Sequence, residues 1–199
     1  MKTSALLILL VAVALAVAFF IFSKPAYPLT EDDARKFFLE DLAQKYPNAD
    51  VREVMEILPV AEQDGGQYFQ LKARVTTGLD SACPERLHVY YDYPPKNFVA
   101  QPPDYITKGC NVCLNEPTCI LAFPEEAIIA SHTYFGTERV AALINSHTDA
   151  KAEYELLDSY MGETGVWRVR WTAENGTLSY TAYLSKTNNM VLGVVSGEE

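Results

Sequence analysis

The chain has 199 residues, 49% apolar and 21% charged, enough apolar residues for a buried core and too many for global disorder. Its 16 Lys and Arg stand against 26 Asp and Glu, a net charge of −10; residues 25–199 hold every acid and all but two of the bases, a net −12. So acidic a body argues against a nucleic-acid binder, which needs clustered Lys and Arg, and against docking on anionic lipid.

The N-terminus opens on residues 5–22, ALLILLVAVALAVAFFIF, 18 consecutive residues without a polar side chain. As a helix this run spans roughly 27 Å, close to the hydrocarbon core of a bilayer. It reads as an uncleaved transmembrane anchor or as a secretory signal peptide. Ala16-Val17-Ala18 fits a cleavage site, but Phe19-Phe20-Ile21-Phe22 would then open the mature chain, and no small-x-small site follows Phe22. The anchor is the preferred reading, with residues 1–24 as the membrane segment and residues 23–29 (SKPAYPL) as a short stiff spacer. Lys2 on one side and Lys24, Arg35 and Lys36 on the other leave the positive-inside bias nearly silent.

Thr30 is an N-cap, and Glu31, Asp32 and Asp33 place negative charge on a first helical turn. Ala34, Phe37, Phe38 and Leu42 follow at helical spacing, and Tyr46-Pro47-Asn48 stops the helix. Residues 51–63 carry Val54, Ile57 and Val60, with Pro59 interrupting; Asp64-Gly65-Gly66 then signals a hairpin. Residues 68–76 alternate, placing Phe69, Leu71, Ala73 and Val75 on one strand face and Tyr68, Gln70, Lys72 and Arg74 on the other. Residues 87–93 form another strand, ended by Pro94-Pro95. Residues 94–123, with five prolines and three of the four cysteines, are the longest irregular stretch, and so are either functional or held by cross-links.

A second helix starts at Pro124-Glu125-Glu126-Ala127, breaks at Gly136 and ends near His147. Strands are predicted over 150–161, 166–173, 178–186 and 190–195. Trp167, Val169 and Trp171 face one way and Arg168 and Arg170 the other. Asn175-Gly176 is a hairpin turn, which accounts for it better than the glycosylation triplet Asn175-Gly176-Thr177 does.

The two halves repeat one order: an acid-started helix, a strand, a glycine turn, then further strands. The segment Gly66 to Arg74 resembles Gly165 to Trp171 in pattern. The fold class is therefore α+β, two helix-on-antiparallel-sheet units at 25–93 and 124–199 flanking the Pro- and Cys-rich insertion 94–123, behind an N-terminal transmembrane helix. The helix ending near His147, the strand Val166-Trp167-Arg168-Val169-Arg170-Trp171, the strand Ser179-Tyr180-Thr181-Ala182-Tyr183-Leu184 and the closing Asn188-Asn189-Met190-Val191-Leu192-Gly193-Val194-Val195 resemble a PepSY-type module of the cystatin-like fold. The resemblance covers roughly 75 residues of the C-terminal half. It implies protein binding, protease restraint or sensing outside the cytoplasm beside a membrane anchor. The Gln-x-Val-x-Gly loop of cystatin inhibitors is absent, which argues against direct inhibition of cysteine proteases.

Cys83, Cys110, Cys113 and Cys119 read first as two disulfides of an exported domain, with Cys83 paired to a cysteine of the insertion and the remaining two paired within it. Cys110-Asn111-Val112-Cys113 also supports a zinc reading and a thiol-redox reading, the first short of a second close pair and the second short of a helix behind the motif. His88, His132 and His147 read as ordinary surface or half-buried residues, and the chain carries no H-E-x-x-H, G-x-S-x-G or phosphate loop. No catalytic residue is assigned and no cofactor is expected outside the zinc alternative. Tyr90, Tyr105 and Tyr183 are the candidate partner-binding residues, against the plainer reading that strand tyrosines pack.

The function expected from these features is a membrane-anchored, non-enzymatic domain outside the cytoplasm that binds or regulates another protein. The alternatives are a metal- or thiol-dependent enzyme using Cys110 and Cys113, and a pilin-like assembly subunit. Against the last, no Gly precedes the apolar run and no Glu lies within it.

Overall fold

The computed structural model describes residues 30–61, 67–94, 101–114, 119–173, 176 and 178–197. The apolar run 5–22, the turn Asp64-Gly65-Gly66 and Asn175 lie outside the described residues, and among those residues no helix is long and apolar enough to cross a membrane.

The described residues are α+β, with two four-stranded antiparallel sheets and three helices. Helix α1 (Glu31–Lys45) precedes β1 (Val51–Ala61), β2 (Gln67–Thr77), β3 (Glu85–Tyr93) and β4 (Asp104–Thr107), which pair in chain order as sheet 1. Helices α2 (Pro124–Thr133) and α3 (Glu138–Ser146) precede β5 (Lys151–Tyr160), β6 (Glu163–Thr172), β7 (Ser179–Ser185) and β8 (Val191–Gly197), which pair in chain order as sheet 2. The described parts of the segments matched in the repeat pattern, 67–74 and 165–171, fall on β2 and β6, the second strand of each sheet.

Helix α1 buries Ala34, Phe38 and Leu42, one stripe at i, i+4, i+8. The sheet 1 face carrying Phe69, Leu71, Ala73, Val75, Leu87 and Val89 is likewise buried. Phe38 meets Tyr91 edge to face at 4.1 Å, and Phe37 lies 5.0 Å from Tyr93. β1 runs unbroken through Pro59 because it is an edge strand, where a missing N–H faces no neighbour.

The second core gathers Leu121, Ala127, Ile128, Ala130, Val140 and Leu143 around Trp167, Val169, Trp171, Ala182 and Leu184. Each tryptophan satisfies its indole N–H inside this core: Trp167 donates to the Leu121 carbonyl at 2.6 Å and Trp171 to Ser131 Oγ at 2.7 Å. Leu79 and Ala82, from the β2–β3 connection, also pack against it. The β2–β3 connection therefore contributes to the core of the second half, and residues Glu31–Glu199 form one compact unit.

Three expectations are corrected. The insertion 94–123 is not wholly irregular: Asp104–Thr107 pair with β3 as the fourth strand of sheet 1, which the periodicity could not show in four residues. Arg74, on the strand face opposite the apolar one, is buried rather than solvated, because Glu125 in the first turn of α2 meets it there. His88, expected at the surface or half-buried, is 5% exposed, paired across the sheet with Arg74 and Asp104.

The two indoles fill the core, so Trp167→Ala and Trp171→Ala should each destabilise by about 3–5 kcal/mol in urea unfolding. Arg168, paired with Glu155 on the open face, should cost about 0.5 kcal/mol or less as Arg168→Ala. Equal losses in all three variants would show that the inner face of sheet 2 is misassigned.

Candidate functional site

Helix α2 is buried from Glu125 through Ser131, on every side. Ala127, Ile128 and Ala130 enter the tryptophan core, while Glu125 and Glu126 turn to sheet 1. Glu125 accepts from Arg74 Nε at 3.2 Å and from the Thr76 hydroxyl; Glu126 pairs with Arg86 and accepts from the Phe123 N–H at 2.9 Å. The guanidinium groups of Arg74 and Arg86 lie 4.3 and 4.5 Å from the Phe123 ring centre. On this buried side Arg86 Nε and Nη1, Glu125 Oε2 and His88 Nε2 have no hydrogen-bond partner among the described residues. Burial raises the Glu126 carboxyl to about 7, against the lowering pull of Arg86. Burial lowers His88 to about 4, helped by Lys72 and Arg86 and opposed by Asp104. With the five groups between 0% and 8% exposed, the cluster is closed to a substrate and acts as a joint between layers.

The cysteines form two disulfides, Cys83–Cys110 and Cys113–Cys119. The first ties the β2–β3 connection to the segment after β4; the second closes a six-residue separation within the insertion. Cys110 occupies the second central position of a tight turn, Lys108-Gly109-Cys110-Asn111, where Gly109 and Cys110 both have positive φ (56° and 61°). Cys110 and Cys113 thus belong to different bridges, and the C-x-x-C spacing does not bring them together. What lies beside the first bridge is His132. One ring nitrogen lies within 4.8 Å of both sulfurs, and Nε2 donates to the Ala82 carbonyl at 2.8 Å. The ring also meets Trp171 edge-on at 5.9 Å. Sequence reasoning passed over His132 because its partners come from residues 49 and 22 positions away.

The three candidate tyrosines do not share a surface. Tyr90 lies on the His88 face of sheet 1, with the Lys72 ammonium 5.9 Å from its ring. Tyr105 pairs with Leu87 and so lies on the opposite, α1 face, with Lys108 4.0 Å over its ring. Tyr183 stacks on Tyr160 at 3.9 Å across the open face of sheet 2, in a groove that Glu153, Glu155, Arg168 and Arg170 also line.

Among the described residues the most exposed large apolar side chain is elsewhere. Phe135, 96% exposed, sits in the turn between α2 and α3, where Gly136 takes φ +96°. The turn packs against β8: a Cβ at Gly136 would lie 3.8 Å from Val191. Beside it, Tyr134 donates to Asn189, and Met190 is 55% exposed. Thr133, Tyr134, Phe135, Asn189, Met190 and Val191 line an open groove of about 500 Å³. The Cys119 sulfur, 3.6 Å from the Tyr134 hydroxyl, brings the second bridge to the same end.

No protein-family model matches the chain, and no curated protein and no solved structure matches it.

Removing one partner of the buried ion pairs leaves the other charge stranded. Arg86→Ala should destabilise by about 3–5 kcal/mol, while Arg86→Met combined with Glu126→Gln should cost clearly less, as chemical denaturation will show. His88 has a folded-state pKa below its ordinary 6.5, so its contribution is fully present above about 6.5 and is lost as pH falls through about 4. Glu126, raised from 4.5 to about 7, contributes the opposite slope as pH rises through 7. The stability difference between the native protein and His88→Gln should therefore be steady above pH 6.5 and shrink towards pH 4. A flat difference in urea titrations across that range would refute the assignment.

Proposed function

We propose that the chain is a membrane-tethered domain outside the cytoplasm, without catalytic activity, that binds a protein partner through its Phe135–Met190 end. The observation that carries the reading is Phe135. A phenyl ring 96% exposed on a turn held by α2, Gly136 and β8 is an apolar knob presented on a rigid base. The groove beside it can accept an apolar side chain in return. The net charge of −12 over residues 25–199 favours a partner whose apolar pocket is rimmed by Lys and Arg.

Two further features support the setting. The 18-residue apolar run is long enough to span a bilayer, and two disulfides fit an oxidising compartment. The repeated helix-and-meander order is consistent with tandem cystatin-like units of the PepSY type, a likeness of architecture that implies a binding or sensing role by analogy only. The regions then divide as a membrane segment at 1–24, a first unit at 25–93 whose sheet takes its fourth strand, Asp104–Thr107, from the stapled insertion at 94–123, and a second unit at 124–199, with no cofactor needed for the role.

Site-specific photo-crosslinking in native membranes tests this. A benzophenone side chain at position 135 or 190 should capture one and the same protein, and at position 155 on the open face of sheet 2 should not. Phe135→Glu should abolish capture from position 190 while leaving the unfolding transition within about 0.5 kcal/mol, as for a surface change. Capture from all three positions alike, or from none, would overturn the reading.

A further inference from the structure

Among the described residues, one place brings three soft metal ligands together: Cys83 after the β2–β3 turn, Cys110 in the tight turn after β4, and His132 in the last turn of α2. Their ligand atoms all lie within 4.8 Å of one another. Tetrahedral zinc, with Zn–S of about 2.3 Å and Zn–N of about 2.0–2.1 Å, needs such atoms roughly 3.5–3.8 Å apart. Rotation of two cysteine side chains whose Cα atoms are 4.7 Å apart supplies that adjustment.

His132 is prepared for the role. The Ala82 carbonyl, one residue before Cys83, accepts a hydrogen bond from Nε2 at 2.8 Å and so fixes the ring beside the bridge. Backbone-carbonyl anchoring of this kind is how metal-binding imidazoles are oriented and their tautomer set. All three residues are half-buried, open enough for an ion or a small thiol to reach. The Cys113–Cys119 bridge has Tyr134 beside it instead of an imidazole.

We propose that the Cys83–Cys110 bridge and a zinc site are two states of this one cluster. A thiol reductant opens the bridge: two reductant thiols give up two electrons and two protons, their sulfurs join in a disulfide, and Cys83 and Cys110 become thiols. One Zn²⁺ then displaces the two thiol protons to solvent and binds both thiolates and the His132 nitrogen, with water in the fourth position. A Cys₂His set with an open position is a known zinc arrangement, and the bound ion replaces the covalent tie between the two sheet 1 connections. This inference does not rest on the partner-binding reading; it concerns a different surface and a different ligand.

The test uses the full-length chain in detergent micelles carrying Cys113→Ser and Cys119→Ser, so that one bridge remains. After reduction with a phosphine under anaerobic conditions, titration with Zn²⁺ against a chromogenic chelator should give one ion per chain, and the oxidised protein should give none. Co²⁺ in place of zinc should show thiolate-to-metal charge transfer and tetrahedral ligand-field bands. His132→Ala should weaken zinc binding about 100-fold or more, beyond the 10–100-fold typical of outer-shell changes. Should that variant unfold, the stoichiometry and the cobalt spectrum of the reduced parent still decide. No zinc bound after reduction, equal binding by the oxidised protein, or a folded His132→Ala that binds as tightly would each overturn the proposal.

Discussion

The structure turns on the need to bury helix α2 on all sides while two carboxylates occupy its first turn. Glu125 and Glu126 cannot remain charged in an apolar core without cations, and no Lys or Arg of α2 itself supplies one. The cations come from sheet 1, as Arg74 on β2 and Arg86 on β3, both against the Phe123 ring. That demand brings the second face of sheet 1 against a helix that already packs on the tryptophans of sheet 2. A buried ion pair contributes little net stability over a well-packed apolar contact, but a mismatched one costs several kcal/mol.

The same helix organises what lies beyond its N-terminus. Its middle offers Ser131 to Trp171, and its last turn offers His132 to Ala82 beside the Cys83–Cys110 bridge. The chain then leaves through Tyr134 and Phe135 to the exposed apolar groove. A displacement of α2 would move the ion-pair joint, the imidazole beside the disulfide and the Phe135 knob together. Both disulfides sit at connections to this helix or to the strands it joins: one at the β2–β3 and post-β4 turns, the other within reach of Tyr134. The Pro-rich insertion, short of periodic apolar residues, is thus held by two cross-links and by four residues of strand.

Much of the fold was legible in local pattern. The α1 stripe of Ala34, Phe38 and Leu42, the break at Gly136 and the alternation of Trp167, Val169 and Trp171 all follow from side-chain periodicity and turn chemistry, which act over a few residues. The cysteine pairing was also readable, because a loop of that composition needs a tether and Cys83 lies just before the strand that feeds it. The candidate sites were less legible. Tyr90 on a strand and Tyr105 in the insertion were both candidate partner-binding residues, yet a β-bulge between β3 and β4 and the pairing of Tyr105 with Leu87 place them on opposite faces of one sheet.

By itself the sequence determined the α+β class, the two helix-and-strand repeats, the inner face of sheet 2 and the tethering of the insertion. Each is set by interactions within one element or between neighbours in the chain. Only the tertiary structure decided that Glu125, Glu126, Arg74, Arg86 and His88 are interior, that β4 completes sheet 1, that His132 stands beside the Cys83–Cys110 bridge and that Phe135 is left outside. In sequence, acids at a helix start look like partners of its dipole, and basic residues alternating along a strand look like a solvated face. Their burial depends on a second element covering that face, and such coverage is a property of how layers stack, to which no local periodicity responds.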